Sequence, residues 1–161
     1  MDEEMMAIAI NEAKKSIKSE DVPVGAVVVM NNQIIAKAYN QKEKTNNVTA
    51  HAEILAINKA GKKLGRYRLD DAVIYITKEP CLMCMGAILS ARISRIVYGA
   101  KDLRYGTSEL ATNNKFNHKC EILGGIKNQE CEALLSEFFR GLRRKNESSR
   151  KTKNQFQRDK K

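Results

Sequence analysis

Residues able to bind a metal or move a proton are concentrated in two short stretches. "VTAHAEI" (48–54) carries His51 and Glu53 two positions apart, and "KEPCLMC" (78–84) carries Cys81 and Cys84 three apart. Neither stretch closes a metal site alone. Zinc takes three protein ligands at catalytic sites and four at structural ones, mostly Cys and His. His51, Cys81 and Cys84 would be three. Two thiolates neutralise the ion, and a fourth position stays open to water, whose pKa the metal lowers from ~15.7 towards ~7. A carboxylate beside that position can take the proton and pass it on, a general acid/base role open to Glu53. The competing readings are a first-turn glutamate favoured by the helix dipole and a thiol redox pair. A zinc ribbon would need a second close cysteine pair. Cys120 and Cys131 are eleven positions apart, in a strand-like and a helix-like pattern, and read as small buried apolar side chains.

Both stretches meet the chemistry's demands only if they begin helices. Cys81 and Cys84, at i and i+3 in a first turn, would present both sulfurs on one face. His51 and Glu53 would diverge in a helix interior, but side chains of a first turn fan around the axis and reach a point beyond its end. Two helix N-termini aimed at one spot add partial positive charge, which favours thiolates and an ionised glutamate.

The elements that would carry these helices are legible as periodicity. Met6, Ile10, Ala13 and Ile17 predict an amphipathic helix over roughly 2–19. Val22 to Met30 is a β-branched run, Asn31-Asn32 a tight hairpin turn, and Gln33 to Tyr39 a returning strand. A polar loop (40–47) precedes a helix that Thr49 can cap and that runs to the glycines at 61 and 65. "AVIYIT" (72–77), "CLMCMGAILSA" (81–91) and "RIVYG" (95–99) form a βαβ unit, whose right-handed crossover makes its strands parallel. About eighteen residues without pattern follow, a candidate substrate-contacting loop. A short strand near 118–122 and a final amphipathic helix through Cys131, Leu134, Leu135, Phe138 and Leu142 complete the chain, with little to fold beyond Asn146.

At 161 residues and 42% hydrophobic content the chain is one ordinary globular domain, 1–146, followed by a basic, disordered tail, 147–161. Its longest apolar run is nine residues where a membrane helix needs ~20, and its acidic N-terminus does not open like a secretory signal, so a cytoplasmic protein is expected. The net charge of +10 is uneven: residues 140–161 hold ten Lys/Arg against Glu147 and Asp159, a balance of +8. That end is either a phosphate-binding arm or a solubilising tail.

The combination "HAE" (51–53) with "EPCLMC" (79–84) resembles the His-x-Glu and Pro-Cys-x-x-Cys signature of zinc-dependent nucleoside and nucleobase deaminases. "VPVGAVVV" (22–29), "RYRL" (66–69), "MGAI" (85–88), "GAKD" (99–102), "NHK" (117–119) and the stretch 130–140 extend the resemblance to the bacterial tRNA-specific adenosine deaminase family, over about residues 2–145. The resemblance implies a three-layer α/β/α cytidine deaminase-like fold with a five-stranded mixed sheet. It implies a homodimer with one zinc per subunit, held by His51, Cys81 and Cys84, acting on the wobble adenosine of a tRNA anticodon stem-loop. Hydrolysis at C6 of adenine yields inosine, with Glu53 protonating N1 and then the departing amine. Asn40 matches a residue contacting the target nucleoside and Asp102 one beside the RNA backbone; Arg140, Arg143 and Arg144 offer a grip on phosphates. Two departures stand out: Val48 where the family commonly has proline, and "KDLRYGTSEL" (101–110) in place of a Gly-rich continuation.

Two other functions fit parts of the sequence. The zinc motif does not specify the base, so a deaminase of free cytosine, cytidine or guanine is the nearest rival, opposed by the basic C-terminal end. A non-catalytic RNA-binding zinc module would need Cys120, Cys131 or His118 as a fourth ligand and would leave Glu53 idle.

Overall fold

The computed structural model describes residues 1–160. Strand β1 (Gly25–Met30) is buried along its whole length, as an all-apolar strand must be when both its faces are covered. It turns at Asn31 and Asn32, whose φ values of 50° and 59° give the left-handed pair of a tight hairpin, into β2 (Gln33–Tyr39). Strands β3 (Val73–Lys78), β4 (Arg95–Ala100) and β5 (Glu121–Leu123) complete a sheet of order β2-β1-β3-β4-β5. Pairing is antiparallel around β1 and parallel from β3 to β5, the mixed five-stranded sheet expected.

The two-residue side-chain period of each strand sorts the core into two halves. Val27, Val29, Tyr75 and Val97 face α1 (Asp2–Lys14) through Met6, Ala9 and Ile10, together with Cys131, Leu134 and Leu135 of the C-terminal helix. Their neighbours Ala26, Val28, Ile74, Ile76 and Ile96 face the other way, in the cluster holding Ala52, Ala56, Ala60, Met85 and Ile88. Three layers result, with the helices that follow His51 and Cys81 together on one face. The α1 layer lies very close to the sheet: a Cβ on Gly25 would stand 1.9 Å from the Ala9 carbonyl oxygen.

Four sequence expectations are corrected. The loop after β2 contains a one-turn helix, α2 (Lys42–Thr45), because the buried Asp21 carboxylate accepts the Glu43 and Lys44 amides at 2.6 and 3.1 Å, a contact from 22 and 23 residues away that periodicity cannot reveal. Thr49 does not cap the next helix. Its hydroxyl and amide both donate to Asn47 Oδ1, at 2.8 and 3.0 Å. The long irregular stretch after β4 contains a 3-10 turn, Ser108–Thr112. Finally, the segment expected to be disordered from residue 147 continues the last helix, α5 (Asn128–Arg158), whose apolar period stops where its packing on the body stops but whose Arg, Lys, Gln and Glu residues still favour a helix.

Candidate active site and metal centre

Helices α3 (Ala52–Leu64) and α4 (Leu82–Ser90) begin side by side, and each has an unusual residue at its N-cap: His51 for α3 and Cys81 for α4. Both residues have extended backbone, φ −75°, ψ 150° and φ −76°, ψ 173°, and each carbonyl accepts the first intrahelical bond, from Leu55 and Met85 at 3.0 and 2.8 Å. An N-cap is normally Ser, Thr, Asp or Asn, whose side chain turns back onto the helix. Neither His51 nor Cys81 makes such a bond, so both side chains project beyond the helix ends. Glu53 and Cys84 follow in the first turns. The two motifs therefore do converge at two helix N-termini.

His51 Nδ1 lies 3.7 Å from Cys81 Sγ and 3.5 Å from Cys84 Sγ. Tetrahedral zinc, with bonds of about 2.3 Å to sulfur and 2.0–2.1 Å to nitrogen, separates its S and N ligands by about 3.6 Å. The donor set thus fits that ion in type and spacing, all three atoms lying within 4.8 Å of one another. Among the described residues this is the one group of His, Cys, Asp or Glu arranged to hold a metal. Cys120 and Cys131 sit in the two apolar clusters, and His118 Nε2 is 2.7 Å from the Ile93 carbonyl oxygen, so none of them completes a closed site.

The electrostatics of the cluster match a cation site. Hydrogen bonding from Cys84 and from His51 pulls the Cys81 thiol down to about 3, while its bond to Cys81 and its burial push Cys84 up. A divalent cation held between the two sulfurs would favour the thiolate form of both. The Cys81 interaction raises His51 against the opposing effect of burial. Glu53 is buried, and desolvation raises its carboxyl pKa despite its own backbone N–H and the nearby His51, which lower it. A carboxyl so placed holds a proton more readily than an exposed one and can pass it to an adjacent group.

A cavity of about 280 Å³ opens over the cluster, lined by Asn40, His51, Glu53, Cys81 and Asp102 with Val22, Val24, Lys42, Lys78, Glu79 and Tyr105. Asn40 donates from Nδ2 to the Val22 carbonyl at 3.1 Å, which fixes the amide orientation and leaves its buried Oδ1 with no protein partner. An unpaired buried acceptor on a cavity wall is a place for a ligand's donor. Asp102 is more fully engaged. It pairs with Lys78 at 2.9 Å and accepts the Arg104 and Tyr105 amides at 3.0 Å each. Burial raises its carboxyl pKa, but those bonds and Lys78 outweigh it and hold the group below its ordinary value. Arg140, Arg143 and Arg144 are exposed on α5 and do not line the cavity.

Sequence reasoning missed Lys42, Lys78, Tyr105 and Glu79. Glu79 is the most consequential. Buried beside Pro80, its carboxylate accepts the Asp102 amide at 2.9 Å, the Ser108 amide at 3.1 Å and the Ser108 hydroxyl. Gly106 packs so tightly on it that a Cβ there would stand 2.3 Å from the carboxylate. An acidic residue directly before Pro-Cys was the available signal.

A mixed five-stranded sheet carrying an open His-Cys-Cys cluster, with a buried carboxylate beside it, defines a deaminase-type hydrolytic site. Residues 1–143 match the family described as MafB19-like deaminase. The chain is 45% identical over 154 residues to the tRNA-specific adenosine deaminase of Bacillus subtilis (strain 168), covering 93% of this chain and 96% of that one. It is 40% identical over 147 residues to the tRNA-specific adenosine deaminase of Haemophilus influenzae, covering 88% and 85%. Among solved structures, one from work on A-to-I editing by tRNA:A34 deaminases at the wobble position of transfer RNA superposes with a TM-score of 0.79 and 38% identity, over 82% of this chain and 99% of that one. A guanine deaminase from Bacillus subtilis matches at 42% identity with a TM-score of 0.59, over 62% and 64%. The chain belongs to the tRNA-specific adenosine deaminase family.

Proposed function

We propose that this chain hydrolyses the wobble adenosine of a tRNA anticodon to inosine, as a zinc-dependent, cytoplasmic homodimer. The observation that carries the chemistry is the three-donor cluster at two helix N-termini with Glu53 buried beside it and no fourth protein donor among the described residues. His51 Nδ1 and the Cys81 and Cys84 sulfurs would hold the ion. When bound, zinc supplies a Lewis acid that lowers the pKa of water in its open position towards ~7.

The chain's own groups do the rest. Glu53 takes a proton from the attacking water and delivers it to adenine N1 as the water oxygen bonds C6, then passes the second proton of that water to the amine, so that the C6–N6 bond breaks, ammonia leaves and the base becomes hypoxanthine. Asn40 Oδ1 accepts a hydrogen bond from the target nucleoside and fixes its orientation. Asp102, held by Lys78 and its own loop, shapes the wall over which the RNA backbone enters. The apolar wall of Val22 and Val24 excludes bulk water from one side of the base. Arg140, Arg143 and Arg144 bind phosphates outside the cavity, and touch no reacting atom.

The rival activity on a free base shares the scaffold, and a guanine deaminase structure overlaps 62% of this chain. The near-complete coverage shared with the tRNA-acting relatives favours the RNA reading. Incubation of the zinc-loaded protein with transcribed tRNAs, and separately with guanine, cytosine, cytidine and adenosine, decides between them. Inosine confined to position 34 of tRNA is expected. Turnover of a free base with no inosine in any tRNA would overturn the proposal.

A further inference from the structure

Helix α5 continues to Arg158, past residue 143 where the deaminase family match ends. Its inward face is set by buried Cys131 and half-buried Leu134, Leu135, Phe138 and Leu142. At about 100° per residue, Arg140, Arg143, Arg144, Arg150, Lys151 and Arg158 fall within an arc of about 120° on the opposite side. All six are exposed. From Arg140 to Arg158 the stripe extends about 27 Å at 1.5 Å per residue. Glu147 is the one acid within it.

The kind of cation follows the face. Five of the six stripe residues are arginines, whereas the cations on the inward side, Lys145 and Lys153 in the helix and Lys160 just beyond it, are lysines. Among the described residues the one ion pair made by a basic side chain of α5 past residue 139 is Lys145 with Glu20, on that inward side. The stripe cations are therefore not consumed in holding the helix down. Arginine's planar fork suits phosphate oxygens. A helix lying on a membrane needs a continuous apolar face, and beyond Leu142 this one offers Phe156 as its single large apolar side chain.

We propose that this stripe, including its distal part at Arg150, Lys151 and Arg158, is a phosphate-backbone contact surface for the tRNA. It supplies affinity and orientation and takes no part in the chemistry. The proposal rests on tRNA being the substrate.

The test compares two variants of the zinc-loaded full chain that lose the same charge: Arg150→Gln/Lys151→Gln on the stripe and Lys153→Gln/Lys160→Gln on the opposite side. Glutamine keeps helix propensity, and circular dichroism checks that helicity is unchanged. Binding of transcribed tRNA is titrated from 50 to 200 mM salt, and kcat is read at saturating tRNA. Two lost phosphate contacts lower the slope of log affinity against log salt by about 1.4–1.8. The parent's advantage over the stripe variant then widens about 7- to 12-fold between 200 and 50 mM salt, with kcat unchanged and the control variant like the parent. Equal shifts in both variants would show a bulk charge effect and overturn the proposal, as would no shift in either, or binding to anionic vesicles that tRNA does not displace. If the parent forms no inosine in any tRNA while the stripe variant still loses salt-dependent binding, the assigned reaction fails and the surface stands.

Discussion

Replacing Glu79 with alanine tests whether a buried carboxylate outside the metal cluster holds the substrate wall in place. The substitution removes the acceptor of the Asp102 and Ser108 amides, at 2.9 and 3.1 Å, and of the Ser108 hydroxyl. Hydrogen bonds to charged groups contribute about 1.5–3 kcal/mol each, and two at the low end amount to about 3 kcal/mol. The loop can open rather than leave those donors buried, so the loss falls on the position of Asp102 and Tyr105 more than on global stability. If the substrate must reseat the loop from its own binding energy, kcat/KM falls about 100-fold, mostly through KM. Cys81 still begins α4, so zinc content is unchanged. Steady-state inosine formation gives the kinetics, and hydrogen exchange at the Asp102 and Ser108 amides reports the anchoring. A variant with kcat/KM within about threefold of the parent, and with both amides still protected, would refute the argument.

Removing the Asn40 acceptor in Asn40→Ala is expected to raise KM about 10-fold or more, because a ligand donor then stays unpaired in the cavity, with zinc content unchanged. Gly25→Ala drives a Cβ into the Ala9 carbonyl and should destabilise the fold by about 2–3 kcal/mol, a fall in Tm of roughly 5–10 °C by calorimetry. Asp2 accepts hydrogen bonds from Arg95 Nη1 and Nη2 and from the Tyr75 hydroxyl, and the Arg95 bond leads in holding its carboxyl below the ordinary value, against burial. A depressed folded-state pKa gives stability that is present above the unfolded value near 3.9 and lost as pH falls through the folded one. Asp2→Asn should therefore flatten the acid limb of Tm against pH and lower Tm at neutrality. Burial, then the Asp2 bond, push Tyr75 up to about 12, so its contribution is complete below about pH 10 and lost as pH rises towards 12. In Tyr75→Phe, thermal denaturation across that range should lose part of its alkaline limb.

The sheet and the convergence of the two motifs at helix starts were legible because each rests on local chemistry. The β-branched run at 22–30, the Asn-Asn turn and the period of α5 need no distant partner to be read. The His-Cys-Cys cluster was legible from residue types and spacing, His51 with Glu53 and Cys81 with Cys84 at two expected helix starts, although the cap of α3 is His51 and not Thr49. What escaped is non-local. Helix α2 exists because Asp21 caps it from across the chain, and the wall around Asp102 is ordered by Glu79, neither visible as periodicity. The tail was misjudged because low apolar content argues for disorder, while Lys, Arg, Gln and Ser tolerate a helix already nucleated by the packed half of α5.

The central claim is that Glu53 moves protons at a metal site it does not help to build. Glu53→Gln keeps the side chain's size, and metal analysis of the purified variant beside an inosine assay on transcribed tRNA tests the claim most directly. One zinc per chain in both proteins, with inosine formation in the variant reduced at least about 100-fold, is the expected result. A variant that deaminates as fast as its parent, or that loses its zinc along with its activity, would contradict the account.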